Sequence, residues 1–187
     1  MPADLQRYLQ TARENVLSAM DGLSEYDIRR PMTPTATNLL GLVKHLAGVE
    51  LGYLGNCVGR PSPISLPWVD DGSIWDGADM WATADQSRDY LVDIYLAAWR
   101  HSDQSIEELG LDAPASVAWW PEERRNTTLG SLLVRVVAET AQHAGHTDIV
   151  RELIDGRVGP DHDDIGDPSF WAAYVERVRR AADAFRN

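Results

Sequence analysis

A long run of apolar residues at helical spacing, late in the chain, constrains the fold most strongly. Its members recur as they would on one face of an α-helix. They are Leu129, Leu132, Val136, Val150 and Ile154. The run is bounded by Thr127 or Thr128, either of which can cap the amino end of a helix, and by Gly156 as a stop. The sequence therefore predicts one long helix that buries this face.

Three titratable residues interrupt the apolar face of this predicted helix. At roughly 100° per residue, Glu139, His143 and His146 project to the same side as the apolar residues. A buried carboxylate is costly unless it is paired or bound to a cation. Because Glu139 and His143 are four residues apart, their side chains are neighbours and can converge on one metal ion. The pattern predicts a metal site inside the fold.

A third metal ligand is expected from another helix. Zinc centres with an open position usually have three protein ligands, and two histidines with one glutamate is a known set. The best candidate is His45, in the segment L-L-G-L-V-K-H-L-A-G-V-E. Taken alone, His45 fits a core histidine that donates to a backbone carbonyl better than it fits a metal ligand. His146 stays open as a fourth ligand, a proton-transfer group or a hydrogen-bond partner of a ligand.

Further candidates for a substrate site lie in a connector and on the late helix. Trp119 and Trp120 are predicted either to wall a pocket or to pack a loop over the end of a helical bundle. Glu50 and Arg151 fall on the apolar sides of their helices, which predicts an ion pair between the second and fourth long helices. Such a pair is structural unless Arg151 also touches substrate.

The remaining periodicity predicts three more long helices and no strand. The first spans about Ala3 to Gly22. The second starts near Thr35–Thr37, ends near Cys57 or Val58, and is apolar on most of its circumference, so it is expected to be central. The third starts at Thr83, where Thr83 and Gln86 can form a capping box, and ends near Gly110.

A long connection and a final helix complete the predicted architecture. Residues 59–82 are rich in proline, glycine, aspartate and tryptophan, and a connection of this length is usually functional or a crossover. A last helix starts at Asp167-Pro168, and its apolar residues predict a buried face: Trp171, Tyr174, Val175, Val178 and Phe185. We expect an all-α four-helix bundle with a long crossover between helices 2 and 3 and an extra C-terminal helix, in a single domain over residues 1–187.

Charge and composition narrow the classes of partner. The net charge of −12 argues against nucleic acid or an anionic membrane surface as a partner. No apolar run approaches the roughly 20 residues of a membrane span. The single cysteine, Cys57, is expected to be a small core residue and excludes an internal disulfide, which fits a reducing, cytoplasmic setting. His101 and His162 are predicted to be surface or loop residues.

Two blocks of the sequence together carry a resemblance to a known family. The segment around His45, followed far downstream by E-T-A-Q-H-A-G-H-T-D-I-V-R-E-L-I-D-G, resembles the DinB-like superfamily. It is most similar to the branch with mycothiol S-transferases and mycothiol-dependent maleylpyruvate isomerase, from about Arg30 to Gly156. The resemblance implies a four-helix bundle, often a homodimer, with a divalent metal on His45, Glu139 and His143. Many family members have histidine where this chain has Glu139, and the glutamate is associated with the mycothiol-using branch.

The leading functional hypothesis is a metal-dependent S-transferase for detoxification. It would join a low-molecular-weight thiol, mycothiol by resemblance, to an electrophilic small molecule, with Zn²⁺ as the favoured metal and Ni²⁺ or Fe²⁺ as alternatives. His146 would transfer a proton or orient a ligand, and Trp119, Trp120 and Arg151 would contact substrate. One alternative is a hydrolase that uses metal-activated water. The other is a metal-bearing stress or ligand-binding module without turnover, as expected if His146 closes the site.

Overall fold

The computed structural model describes residues 2–157 and 167–186 and is predominantly helical. In chain order its α-helices are α1 (Pro2–Ser18), α2 (Glu25–Arg29), α3 (Leu39–Tyr53), α4 (Pro67–Asp70), α5 (Arg88–Leu109), α6 (Glu122–Arg125), α7 (Leu129–Asp155) and α8 (Pro168–Asp183). The helices α1, α3, α5 and α7 form a bundle. This confirms the all-α bundle architecture expected from the sequence.

Helix α3 is the centre of the bundle. It contacts the other three bundle helices, while α1 and α7 pack against each other. Its apolar residues are almost completely buried, including Leu39, Leu40, Leu42, Val43, Leu46 and Leu51. The apolar circumference that the sequence shows for this segment therefore reflects contacts on several sides.

The ends of most long helices follow local capping chemistry. The Oγ1 atom of Thr128 accepts from the backbone N–H of Ser131, and Gly156 ends α7 in the left-handed conformation, as predicted. Helix α3 begins at Leu39, slightly later than predicted, because Asn38 is the capping residue and accepts from the N–H of Gly41 at 2.8 Å. Short side chains with an oxygen acceptor thus set these boundaries.

The predicted start of the third long helix is wrong. The side chain of Gln86 does accept from the backbone N–H of Thr83 at 3.1 Å, as in a capping box. The helix nevertheless begins at Arg88, because Ser87 is the capping residue and accepts from the N–H of Tyr90. Its predicted end at Gly110 is confirmed.

Two short strands and three 3-10 turns were not predicted. Strand β1 (Pro114–Ser116) pairs antiparallel with β2 (Asn126–Thr128), and Ala115 lies opposite Thr127. The strands are too short to show an alternating apolar pattern. The 3-10 turns are Asn56–Val58, Ser73–Asp76 and Ala78–Met80, and the last two lie in the long crossover that the sequence predicts between the second and third long helices.

Glu50 is buried in an ion pair, but its predicted partner is wrong. It pairs with Arg13 of α1, whose Nη2 lies 2.5 Å from Oε2 and whose Nε lies 2.9 Å from Oε1. The guanidinium also reaches Asp103 of α5 at 3.0 Å. Glu50 therefore lies on the side of α3 that faces α1 and α5. Arg151 of α7 is not its partner and makes other contacts.

Arg151 joins α7 to the end of α1. Its Nη1 atom donates to the carbonyl oxygens of Ala19 and Asp21 at 2.9 and 2.8 Å, and its Nη2 atom lies 2.7 Å from the carboxylate of Asp155. The side chain is buried and its polar atoms are occupied by these contacts. The structure thus gives Arg151 a role in holding the chain beyond α1.

Helix α8 starts as predicted but does not bury its apolar face among the described residues. Asp167 caps it and Pro168 is its first residue. Its large apolar side chains are exposed: Phe170, Trp171, Tyr174, Val175, Val178 and, just past its end, Phe185. The prediction that this face is buried is therefore wrong for the part of the chain that the structure describes. His162 lies outside the described residues, and no described helix is both long and apolar enough to cross a membrane.

Candidate metal centre

The three predicted metal ligands lie together where α3 and α7 meet. The Nε2 atom of His45 lies 3.6 Å from Oε1 of Glu139, and Nε2 of His143 lies 3.4 Å from the same oxygen. The possible ligand atoms of all three residues fall within 4.8 Å of one another. Helix α7 presents Glu139 and His143 one turn apart, and α3 supplies His45 from the other side.

The separations of these atoms fit one divalent metal ion. With metal–ligand bonds of about 2.1 Å and tetrahedral angles, two ligand atoms are roughly 3.4 Å apart. The separations of 3.4 and 3.6 Å match that value. Two imidazoles and one carboxylate are also the donors of zinc centres that keep one position for substrate. The cluster can therefore hold a metal ion.

The ligands lie at the edge of the buried face of α7. The middle of that face is formed by Thr140, Ala144 and Thr147, whereas Glu139 and His143 are half-buried beside it. Burial is the main cause that lowers the pKa of His143, the electrostatic interaction with His45 lowers it further, and Glu139 opposes both. A histidine with a lowered pKa is neutral at pH 7, which is the form that coordinates metals.

Asp79 is a partner of His45 that the sequence analysis did not identify. Its Oδ2 atom lies 2.6 Å from Nδ1 of His45, and it is buried in the turn Ala78–Met80. With Nδ1–H donating to this carboxylate, the lone pair of His45 is on Nε2, the atom nearest to Glu139. A carboxylate in this position orients a metal-binding histidine and makes it a stronger ligand. Several aspartates occur in the crossover, and nothing in the sequence distinguishes Asp79 among them.

A buried lysine holds the crossover against α3. The Nζ atom of Lys44 donates to the carbonyl oxygens of Ala78 and Trp81 at 2.6 and 3.0 Å, and to Oε1 of Gln86 at 3.0 Å. These acceptors lie on both sides of Asp79 in the sequence. Burial of the ammonium group lowers the pKa of Lys44. The lysine next to His45 in the sequence thereby positions the aspartate that contacts His45.

A close backbone approach adds to the same attachment. The Nδ2 atom of Asn38 donates to the carbonyl oxygen of Met80 at 3.2 Å. The same carbonyl lies so close to Gly41 that a Cβ at this position would collide with it. Glycine is therefore required at position 41 for the crossover to reach its place.

His146 contacts a ligand and is not part of the metal cluster. Its Nδ1 atom lies 3.2 Å from Nδ1 of His143, on the side of the ring opposite to the Nε2 atom that faces Glu139. One of the two Nδ1 atoms donates and the other accepts. His146 is exposed, so its second nitrogen is accessible to solvent. Of the roles left open by the sequence, this position fits a hydrogen-bond partner or a proton-transfer group.

A cavity of about 370 Å³ adjoins His45 and Asp79. One wall is formed by α3 and the turn after it, through His45, Gly48, Val49, Gly52, Tyr53 and Asn56. The other lining residues are Val69, Ile74, Trp75 and Asp79 of the crossover, together with Trp119. The long connection between the second and third helices thus contributes both a metal-centre partner and part of the cavity lining.

The two adjacent tryptophans have different surroundings. Trp119 lines the cavity, and its Nε1–H donates to the hydroxyl of Tyr53 at 3.3 Å. Trp120 is not among the lining residues, but its ring lies 5.9 Å from that of Tyr53, and the guanidinium of Arg135 lies over both rings. Trp120 therefore supports Tyr53 from outside the cavity. Arg151 does not line it either.

The fold and this cluster define a helical-bundle protein with a two-histidine, one-glutamate candidate metal centre. Comparison with protein-family models matches residues 4–156 to the model described as Mycothiol-S-transferase. That match covers most of the chain and includes every residue of the centre and the cavity. The chain belongs to the Mycothiol-S-transferase family. No curated protein matches the chain.

Proposed function

We propose that this protein is a metal-dependent S-transferase that joins mycothiol, or a similar low-molecular-weight thiol, to an electrophilic small molecule. The family membership supports a thiol as one substrate. The observation that carries the proposal is the convergence of His45, Glu139 and His143 at ligand distances. The proposal includes a detoxification role in the cytoplasm, because conjugation to a thiol removes reactive electrophiles.

The proposal assigns zinc to the three ligands. Two imidazoles and one carboxylate suit zinc, and the imidazoles would also accept nickel or iron. His45, Glu139 and His143 would hold the cation, which would lower the pKa of a coordinating thiol so that the thiolate is available at neutral pH. The lowered pKa of His143 keeps that ring neutral, so protons compete weakly with a metal for Nε2.

The other residues of the site orient the reactants and move protons. Asp79 holds the Nδ1–H of His45 and so keeps Nε2 directed at the centre. His146 contacts the Nδ1 atom of His143, and its exposure allows it to pass a proton to solvent. In the transfer, the thiol proton leaves to solvent and the sulfur forms a bond to an electrophilic carbon. The leaving group departs with the electron pair of the broken bond.

Direct conjugation assays with the metal-loaded protein test this proposal. Mycothiol, bacillithiol and glutathione are each supplied with monobromobimane, and fluorescence reports the S-conjugate. We expect turnover with one thiol above the uncatalysed rate, and its loss together with stoichiometric metal in His143→Ala. The matched control is Gln142→Ala, an exposed neighbour on the same helix, which should retain both.

Three results would contradict the proposal. One is wild-type protein that binds no stoichiometric divalent metal after loading. Another is a His143→Ala variant that keeps both metal and transferase activity. The third is turnover of an ester or amide without any added thiol, which would favour the hydrolase alternative.

A further inference from the structure

Helix α8 has an apolar face that the described residues leave exposed. At roughly 100° per residue, Phe170, Tyr174 and Val178 lie on one side of the helix. Each of these side chains is about half exposed, and α8 has no buried residue. An apolar face that is exposed along a helix of about 24 Å is typical of an interaction site. Because α8 lies outside residues 4–156, family membership assigns it no role.

Helix α7 has an outward-facing apolar stripe of similar length. Six exposed apolar or small residues project to the side of α7 opposite its buried face, and together they form the outer stripe: Val134, Ala138, Ala141, Gly145, Ile149 and Leu153. Ile149 and Leu153 are each 58% exposed, and a Cβ added at Gly145 would meet no described atom within 4 Å. The small residues leave room for the bulky side chains of a second helix.

Charge favours contact of α8 with the bundle over contact between two α8 helices. Residues 168–187 include four arginines and two carboxylates, a net charge of +2, so the rest of the chain carries −14. Glu152 is exposed beside the outer stripe, and Arg177 borders the apolar face of α8. At the other end of the stripe, Arg135 holds its guanidinium over the Tyr53 ring. Two adjacent α8 helices would bring arginines together, whereas α8 on α7 joins opposite charges.

We propose that α8 of each copy packs on the outer stripe of a second copy, so that two chains form a symmetric dimer by exchanging this helix. Both faces are exposed within one copy, and a two-fold arrangement covers both at once. Two contacts between helix faces about 24 Å long and roughly 10 Å wide bury on the order of 1,000 Å² in total, which reaches the lower limit for a specific interface. This inference concerns assembly and does not depend on the S-transferase chemistry.

The proposed interface lies close to the candidate metal centre. Ile149 of the outer stripe is one turn from His146 on α7, and His146 contacts the metal-ligand candidate His143. The α8 helix of the second copy therefore packs beside the exposed edge of the centre.

Sedimentation velocity of the full chain, with and without zinc, tests the assembly. We expect a dimer of 20.8-kDa chains, and we expect Val178→Glu and Ile149→Glu each to weaken it at least about 30-fold, because each places an unpaired carboxylate in the apolar contact. Ala173→Glu is the matched control, since it adds the same charge on another side of α8 and should leave the dimer intact. Wild-type protein that is monomeric at about 100 μM, or a dimer that either variant leaves unchanged, would overturn the inference.

Cross-linking between differently substituted chains identifies the partner of α8. Ile149→Cys chains are mixed with Val178→Cys chains and treated with a bismaleimide whose span of about 10 Å matches the distance between packed helix axes. Cys57 is buried and should react slowly. We expect cross-linked dimers from the mixture and few from either chain alone.

Two cross-linking results would overturn the inference. Efficient cross-linking of Val178→Cys chains alone would show that two α8 helices pair with each other. A chain with both Ile149→Cys and Val178→Cys that is cross-linked only internally would show that α8 packs on the outer stripe of its own chain. Both substituted side chains are exposed within one copy, so the variants should remain folded by circular dichroism.

Discussion

Replacing Asp79 with asparagine should weaken metal binding while the bundle stays folded. Asparagine matches aspartate in shape, and its Oδ1 atom can still accept the proton of His45 Nδ1, now 2.6 Å from the carboxylate. The change removes the negative charge that makes the imidazole a stronger ligand. Asp79→Ala removes the hydrogen bond as well and leaves His45 without its orienting partner.

The expected magnitude follows from the role of Asp79 as a positioning residue. Loss of a hydrogen-bond partner behind a metal ligand typically lowers metal affinity about 10–100-fold, or about 1.4–2.7 kcal/mol. The hydrogen bond is short and Asp79 is buried, so the loss of zinc affinity in either variant should not be smaller than this range. We expect Asp79→Asn near the lower end, and Asp79→Ala near the upper end because it also loses the acceptor.

Competition with a chromogenic zinc chelator measures this affinity at neutral pH. Thermal unfolding of the metal-free variants tests whether the fold is retained. Asp76→Asn is the matched control, because Asp76 is an exposed aspartate of the same crossover and should bind zinc like the wild type. A zinc affinity for Asp79→Ala within about two-fold of the control, in a folded protein, would refute the reasoning.

Three further predictions concern stability and thiol reactivity. Arg13→Ala leaves the fully buried Glu50 without its partner and should cost about 3–5 kcal/mol in urea unfolding, and a loss below about 1 kcal/mol would contradict this. Gly41→Ala should destabilise the protein by collision with the crossover, whereas Gly145→Ala should stabilise it by about 0.5–1 kcal/mol in the same assay. Burial raises the pKa of Cys57 to about 11, so its alkylation at pH 8 should be about 100-fold slower in folded than in unfolded protein. Because the folded state holds this thiol proton more tightly, stability should fall as pH rises past about 9 toward 11, and fast alkylation of folded protein would refute the assignment.

Local chemistry explains which helix ends could be predicted from the sequence. Thr128, Gly156 and the pair Asp167-Pro168 act through contacts within a few residues, so their effects can be inferred without knowledge of the fold. Gln86 shows the limit of this approach. Its side chain makes the predicted local bond to Thr83 but also accepts from Lys44, and the helix starts only after it.

The candidate site was predictable to the extent that it depends on one helix. The spacing of Glu139 and His143 on α7 follows from helical geometry, and His45 was inferred as the third ligand from residue type and resemblance. Asp79 could not be found, because its position depends on contacts between a crossover and α3. Arg13 was missed for a similar reason, since nothing local links it to Glu50.

The apolar face of α8 shows how periodicity can mislead about burial. Periodicity predicts which side chains share a face, but it does not say what covers that face. In α7 the predicted face is buried against the bundle, whereas in α8 Phe170 and Val178 are each 53% exposed among the described residues. Both helices have the pattern, and only tertiary contacts distinguish them.

The central helix α3 links the stability of the bundle to the geometry of the site. Lys44 and Gly41 hold the crossover against α3, His45 faces the metal centre, and Gly52 lines the cavity. Glu50 lies on another side of the same helix and pairs with α1. Because one rigid element carries all of these groups, their relative positions are set by helical geometry once α3 is packed. The crossover then completes the site by bringing Asp79 to His45. Lys44, the residue before His45, holds the crossover in this place through the carbonyl oxygen of Trp81.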